Sequence, residues 1–411
     1  MSTATPIAPQ ERIHLLDIIR GFALLGILLM NIEYFQRPLA EMMHGFNTEQ
    51  VGLDYATAWG VYTFVQGKFY TMFSLLFGMG FVLFLDRAME KTNSPRFLFF
   101  RRIFVLALFG LVHIVYIWGG DILLNYAIVG VFLLLFVKTS PRHLWKLGAA
   151  FIIIPVLLFC LGAWGIQMGL NSAAGPEMLA DFEQSRIEMQ QMIAMGHEVY
   201  IGGTYAEVVQ YRLSEIALLY GGGGIIFFIP TILGTMLIGA AFARAGIFTN
   251  PREHRKAIRN MVMFGGLFGL PSALIIGIYG LDIEMMIPDY QGALIFLLQA
   301  IANIGLCFAY MGIIALLFLG GKKWLQHLAP AGRMALTNYL THSIVFTTLF
   351  YGYGFGLYGE FGRFATTVMA IALYAGQLWF STWWLQRYQY GPMEWLWRSA
   401  TYMKLQPMRK A

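Results

Sequence analysis

Ten apolar stretches, near positions 15–35, 59–85, 99–118, 121–137, 147–170, 216–242, 260–280, 291–320, 334–358 and 364–386, leave this chain little choice of architecture. A helix needs about 20 apolar residues to cross the hydrocarbon core of a bilayer, and a spanning segment must satisfy its backbone polar groups internally. The 411 residues are 58% hydrophobic and only 12% charged, about half the charged share of a soluble domain. The expected fold is therefore all-α: a polytopic integral membrane protein with about ten transmembrane helices.

The connections alternate in charge. "DRAMEKTNSPRFLFFRR", "KTSPRHLWK", "RAGIFTNPREHRKAIR", "GKKWLQHLAPAGR" and the tail from Arg387 are basic, whereas "EMMHGFNTEQVGLD", 171–215, "DIEMMIPD" and "GEFGR" fall between them. By the positive-inside rule this places both termini in the cytoplasm. The net charge of +6 thus serves topology, and no nucleic-acid partner is expected. The long first apolar run, with no small-residue site after it, argues against a cleaved leader. Cys160 and Cys307 lie within apolar stretches, so no disulfide framework is expected, and no Cys/His cluster has metal-ligand spacing.

The chain reads as one transmembrane unit over 1–411. It comprises an N-terminal five-span half (12–170), an outer amphipathic segment (171–215) and a C-terminal five-span half (216–411) with an interfacial tail. The outer segment repeats Met, Ile and Leu at helical spacing and predicts one or two surface helices. "YGGGGIIFFIP", with Pro230, predicts a bent or locally unwound start to span six, or close helix packing.

Ionisable groups at membrane depth are functional candidates, because burying one there costs about 2.5 kcal/mol or more. Asp17 and Arg20, three residues apart in the first span, suit an intrahelical ion pair; Asn31, eleven residues beyond Arg20, returns to nearly the same face about 16 Å deeper. His113 follows Arg102 by the same eleven residues, and Asp121 lies within reach at the hairpin turn. His342 and Asn338 are neighbours at i,i+4 in "GRMALTNYLTHSIVF", amid Thr337, Thr341 and Ser343. A neutral imidazole there suits a general base, or else an interhelical hydrogen bond. Lys68 reads as a snorkelling residue at the outer interface, and His44 lies in the first outer loop. Glu394 and Arg398, at i,i+4 in the tail, read as part of an interfacial anchor.

"LDIIRGFALLGILLMN", "GKFYTMFSLLFGMGF", "GRMALTNYLTHSI" and "YGPMEWLWR" together resemble the YeiB-like bacterial membrane family, whose C-terminal half is a domain of unknown function. The first motif is also similar to the opening helix of transmembrane acyltransferases such as heparan-alpha-glucosaminide N-acetyltransferase. That resemblance implies a multi-pass protein of the bacterial cytoplasmic membrane that moves an acyl group from cytoplasmic acyl-CoA to an acceptor at or beyond the outer face. It implies no tightly bound cofactor and no metal. Asp17, Arg20, Arg101, Arg102 and Arg333 would form the coenzyme mouth, His44, His113 or His342 would be the base, and Asn31 or Asn338 would hold the oxyanion. Expected partners are the lipid bilayer and a small-molecule or saccharide acceptor, and a homodimer is allowed. The polar residues at depth would equally suit a proton-coupled transporter of a small molecule, or a non-catalytic membrane scaffold.

Overall fold

The computed structural model describes residues 13–44, 50–221, 224–281 and 287–410. Among them the helices are α1 (His14–Tyr34), α2 (Gly52–Phe64), α3 (Lys68–Lys91), α4 (Pro95–Val112), α5 (Leu123–Leu133), α6 (Pro141–Leu170), α7 (Gly175–Gly202) and α8 (Tyr205–Gly221). They continue as α9 (Gly224–Arg244), α10 (Arg255–Tyr279), α11 (Tyr290–Leu319), α12 (Leu328–Arg333), α13 (Ala335–Phe350), α14 (Arg363–Arg387) and α15 (Pro392–Tyr402). No strand occurs among the described residues.

Eight helical stretches among the described residues are long and apolar enough to cross a membrane. Every one of the ten apolar stretches carries a helix, but Leu123–Phe136 and the 16-residue α13 are shorter, at roughly 21 and 24 Å. About half of each is buried among neighbouring helices, including Asn125 and Tyr126 of the first and Asn338, His342 and Ser343 of α13.

Three stretches differ from the sequence reading in their bounds. The 59–85 stretch is broken at Gly67, whose φ of +85° ends one helix and starts α3. The break folds α2 over the neighbouring helices: Trp59 Nε1 donates to Gly277 O at 2.8 Å, and Tyr310 Oη donates to Phe64 O at 3.0 Å. Lys68, the first residue of α3, is 1% exposed, so it does not snorkel at the surface as its sequence position suggests. The stretch from 216 divides, because α8 ends at Gly221 and α9 begins at Gly224 within the glycine run. The outer segment forms two helices, α7 and α8, joined side to side by Tyr211 Oη donating to Met192 O at 3.0 Å.

The alternating connections collect at two ends. At one, Arg20, Arg87, Arg102, Arg333 and Arg398 come together. At the other, Arg363 pairs with Glu33 at 3.1 Å, Phe364 N donates to Asp54 at 2.7 Å and Gly352 N donates to Tyr200 O at 2.9 Å.

Small residues set the closest approach at the basic end. A Cβ on Gly21 would overlap the Leu328 carbonyl, and one on Gly332 would overlap the Asp17 carbonyl, so α1 and α12 touch backbone to backbone. That contact places Arg20 and Arg333 on the wall of one cavity. Gly332→Leu should force the two helices apart at a cost of roughly 1–3 kcal/mol. Thermal unfolding in detergent should show a lower midpoint; an unchanged midpoint would mean that the contact is not needed.

Candidate functional site

A cavity of about 310 Å³ lies between α1, α3, α4, α5, α12, α13 and α15. That volume is at the lower end of the range for small-molecule sites. Five arginines, Arg20, Arg87, Arg102, Arg333 and Arg398, line its basic end against only two carboxylates, Asp17 and Glu394. The sequence-predicted ion pair forms, with Arg20 Nη1 2.8 Å from Asp17 Oδ1. Aromatic faces hold two of the others: the Arg102 guanidinium lies 3.7 Å from the Trp397 ring centroid, and that of Arg398 lies 4.9 Å from Tyr390. Arg333 Nε has no hydrogen-bond partner among the described residues. Burial lowers the Arg333 guanidinium from its usual range and Asp17 partly restores it, so a bound anion would be favoured there. Arg101 is not a lining residue. One residue from Arg102 is about 100° round the helix, and Arg101 lies instead 5.9 Å from the Phe97 ring.

From the arginines the cavity runs inward along apolar and aromatic residues to Ile122, Leu123, Tyr126 and Tyr339. Immediately behind Tyr339 stands His113, with ring centroids 5.2 Å apart. α4 ends there in a π-helical turn, His113–Ile117, closed by Trp118 N donating to His113 O at 2.8 Å. Wide turns of this kind recur at functional sites. Gly119 and Gly120 then allow a tight return, since a Cβ on Gly120 would overlap the Trp118 ring.

The return brings Asp121 back onto the imidazole. Asp121 Oδ1 lies 2.8 Å from His113 Nδ1, and its Oδ2 accepts from Leu124 N at 2.6 Å in the first turn of α5. On the other side of the ring, His113 Nε2 lies 2.8 Å from Ser343 Oγ on α13. With Asp121 a carboxylate, Nδ1 carries the proton and Nε2 accepts from the serine hydroxyl. All three side chains are buried. Among the described residues the Tyr339 hydroxyl makes only long hydrogen bonds, accepting from Ile122 N at 3.4 Å and donating to Gly120 O at 3.5 Å.

His342 and Asn338 occupy a different face of α13. His342 Nε2 lies 2.7 Å from Gln377 Oε1, and Gln377 Nε2 donates to Asn338 O at 3.1 Å. Asn338 Nδ2 donates to Ser381 Oγ at 3.1 Å and to Ala331 O at 3.2 Å. This network ties α13 to α14, and neither residue lines the cavity. Asn31 is buried on the α1 stripe that carries Asp17, Arg20 and Ile27 to the cavity, one turn beyond Ile27. His44 closes a short 3-10 turn, Leu39–His44, and its side chain lies outside the described residues. The residues that sequence reasoning missed are Arg87, Arg398, Tyr339 and Ser343. The one available signal was Tyr339 and Ser343 at i,i+4, on a face of α13 about 100° from that of Asn338 and His342.

Glu394 turns away from Arg398 to hold the start of α13. It accepts from Leu336 N at 2.6 Å, Thr337 N at 3.1 Å and Thr337 Oγ1 at 2.6 Å. Burial pushes its carboxyl up from the usual range, and the Thr337 and Leu336 donors pull it partly back.

Fold and cavity together define a multi-pass all-α membrane protein with a cation-lined site open to helix ends of one side. The chain belongs to the YeiB-like family. It is 30% identical to the uncharacterized protein YeiB of Escherichia coli (strain K12), over 95% of this chain and 97% of that one. It is 33% identical to the uncharacterized protein YxaH of Bacillus subtilis (strain 168), over 100% and 99%. A Bacillus acidopullulyticus protein described as an uncharacterized 39.9 kDa protein in amylase 3'region is 30% identical over 98% and 97%. Residues 242–404 match the family described as "Protein of unknown function (DUF418)". No solved structure matches.

Glu394→Ala should strip the α13 N-terminus of its acceptor and destabilise the protein by about 1–2 kcal/mol. Detergent melts of Glu394→Ala beside Arg398→Ala check this: only the first should fall markedly. Equal small effects would return Glu394 to the role of a surface anchor.

Proposed function

We propose that this protein is a transmembrane acyltransferase of the bacterial cytoplasmic membrane, taking an acyl group from cytoplasmic acyl-CoA to a hydroxyl or amine acceptor on the other side. The observation that carries the reading is one cavity with five arginines at its basic end and the His113–Asp121 pair behind its inner wall. Guanidinium groups suit phosphates, because they bind them in a planar, bidentate fork. Arg102 and His113 are eleven residues apart on one helix, or about 16 Å. A coenzyme anchored by its phosphates at the arginines needs a long, narrow arm to present its reacting carbon at that depth, and acyl-CoA carries its thioester on such an arm.

Asp121 holds the Nδ1–H tautomer of His113 and stabilises the imidazolium that forms when Nε2 takes a proton. Of His113 and His342, the two candidate bases whose side chains are described, His113 combines an orienting carboxylate with contact to the cavity wall. The Tyr339 hydroxyl, which makes only long hydrogen bonds among the described residues, is placed to donate to a developing oxyanion. Asn338 and His342 are assigned to the α13–α14 joint, and Asp17 to orienting Arg20.

The test is calorimetric titration of the purified protein with acetyl-, succinyl-, octanoyl- and palmitoyl-CoA, with free CoA as competitor. Arg20→Ala and Arg333→Ala should each weaken binding roughly tenfold, or about 1.4 kcal/mol. His113→Ala should leave binding in place and abolish transfer. If folded protein binds no acyl-CoA, the same buried pair is better read as the proton site of a small-molecule carrier, which flux into vesicles would reveal.

A further inference from the structure

Ser343 has no place in a direct transfer, in which His113 would deprotonate the acceptor itself. Yet its hydroxyl occupies the one imidazole nitrogen that a base would use, at 2.8 Å, while Asp121 holds the other nitrogen at the same distance. A hydroxyl on a histidine and the histidine on a carboxylate is the arrangement that activates a serine nucleophile, recognised by geometry rather than by chain order. The three residues come from separate places: His113 from the π turn, Asp121 from the following hairpin and Ser343 from α13. Ser343 is also on the cavity side of its helix, one turn beyond Tyr339 and two beyond Leu336, both of which line the cavity. The Tyr339 ring, 5.2 Å from that of His113, stands at the cavity's inner end, and the proposal requires it to turn aside when the acyl group reaches Ser343.

We propose that Ser343 carries the acyl group as a covalent ester, so that transfer proceeds by double displacement through an acyl-enzyme. The inference rests on the acyl-CoA reading above. In the first half, Ser343 Oγ attacks the thioester carbonyl carbon and its proton passes to His113 Nε2. The C–S bond then breaks, and the same proton leaves on the sulfur as free CoA thiol. In the second half, an acceptor hydroxyl or amine attacks the ester carbon and gives its proton to His113 Nε2. The C–Oγ bond breaks and Ser343 Oγ recovers that proton. The sum is acyl thioester plus acceptor giving thiol plus acyl acceptor, with no other reactant consumed. The arrangement has a physical advantage in a membrane: coenzyme and acceptor never need to occupy the narrow inner end together, so an acyl group can be loaded from one side and released to the other.

An acyl-enzyme makes a measurable prediction that direct transfer does not. Whichever acyl-CoA of the panel binds most tightly is mixed with full-length protein and isotopically labelled free CoA, without acceptor. Label should exchange into the acyl-CoA, and intact-mass and peptide analysis should find an ester on Ser343 that hydroxylamine removes. Ser343→Ala should still bind CoA but exchange at least ~10³-fold more slowly. Ser343→Cys should restore acylation as a thioester. Acyl-CoA binding by the wild-type protein with neither exchange nor ester would overturn the nucleophile while leaving direct transfer by His113 intact. Absence of any acyl-CoA binding would remove both readings at once. Because the exchange and the ester are read on the unaltered protein, a misfolded variant could not decide the matter.

Discussion

Hydrocarbon offers a buried imidazole, amide or carboxylate no hydrogen-bond partner, and each such group must find one in the protein or destabilise it. α13 meets this constraint with several partners at once, His342 Nδ1 alone among its buried polar side-chain atoms having none among the described residues. Glu394 from the tail satisfies its first backbone N–H groups. One face joins α14 through His342, Gln377 and Asn338, and another joins α4 through Ser343 and His113. Moving α13 would strand several buried polar groups together, so the helix is fixed in register against both neighbours. The cavity wall that it forms inherits that rigidity.

The cavity is polarised along its length. At one end guanidinium groups gather with too few carboxylates to neutralise them, some seated on aromatic rings and one held by Asp17. At the other, a hydrogen-bonded carboxylate, imidazole and hydroxyl stand in apolar surroundings, where directed polar interactions are stronger than in water. A ligand with an anionic head and an apolar reactive tip matches both ends at once. The far side of the hairpin is covered by α8, where Arg212 Nη1 donates to Val115 O at 2.8 Å and Tyr205 Oη donates to Tyr116 O at 2.7 Å. His113, Asp121 and Ser343 are thus buried, with α8 bonded to the backbone of the same hairpin.

The membrane class, the helical stretches and the pairing of Asp17 with Arg20 were all legible from residue spacing, because hydropathy and i,i+3 proximity act within one segment. So was the reach of Asp121 to His113, which spans a single hairpin. The burial of Lys68 was not legible: beside Gln66 and Gly67, where the apolar pattern is interrupted, it reads as an interfacial residue, and only the tertiary structure encloses it. Nor was the division of labour on α13, where His342 and Ser343 are adjacent in sequence yet turn about 100° apart, one to Gln377 on α14 and the other to His113.

Apolar length and alternating loop charge, local quantities that any single segment carries, were enough to specify a multi-pass helical bundle with a basic face. Which polar residues meet is a different kind of fact. His113 and Ser343 are 230 residues apart and Leu336 and Glu394 are 58, and no local periodicity encodes such contacts. Only helices packed backbone to backbone, as at Gly21 and Gly332, bring those side chains within hydrogen-bond distance. The site therefore belongs to the tertiary structure, while the membrane architecture was written in the sequence.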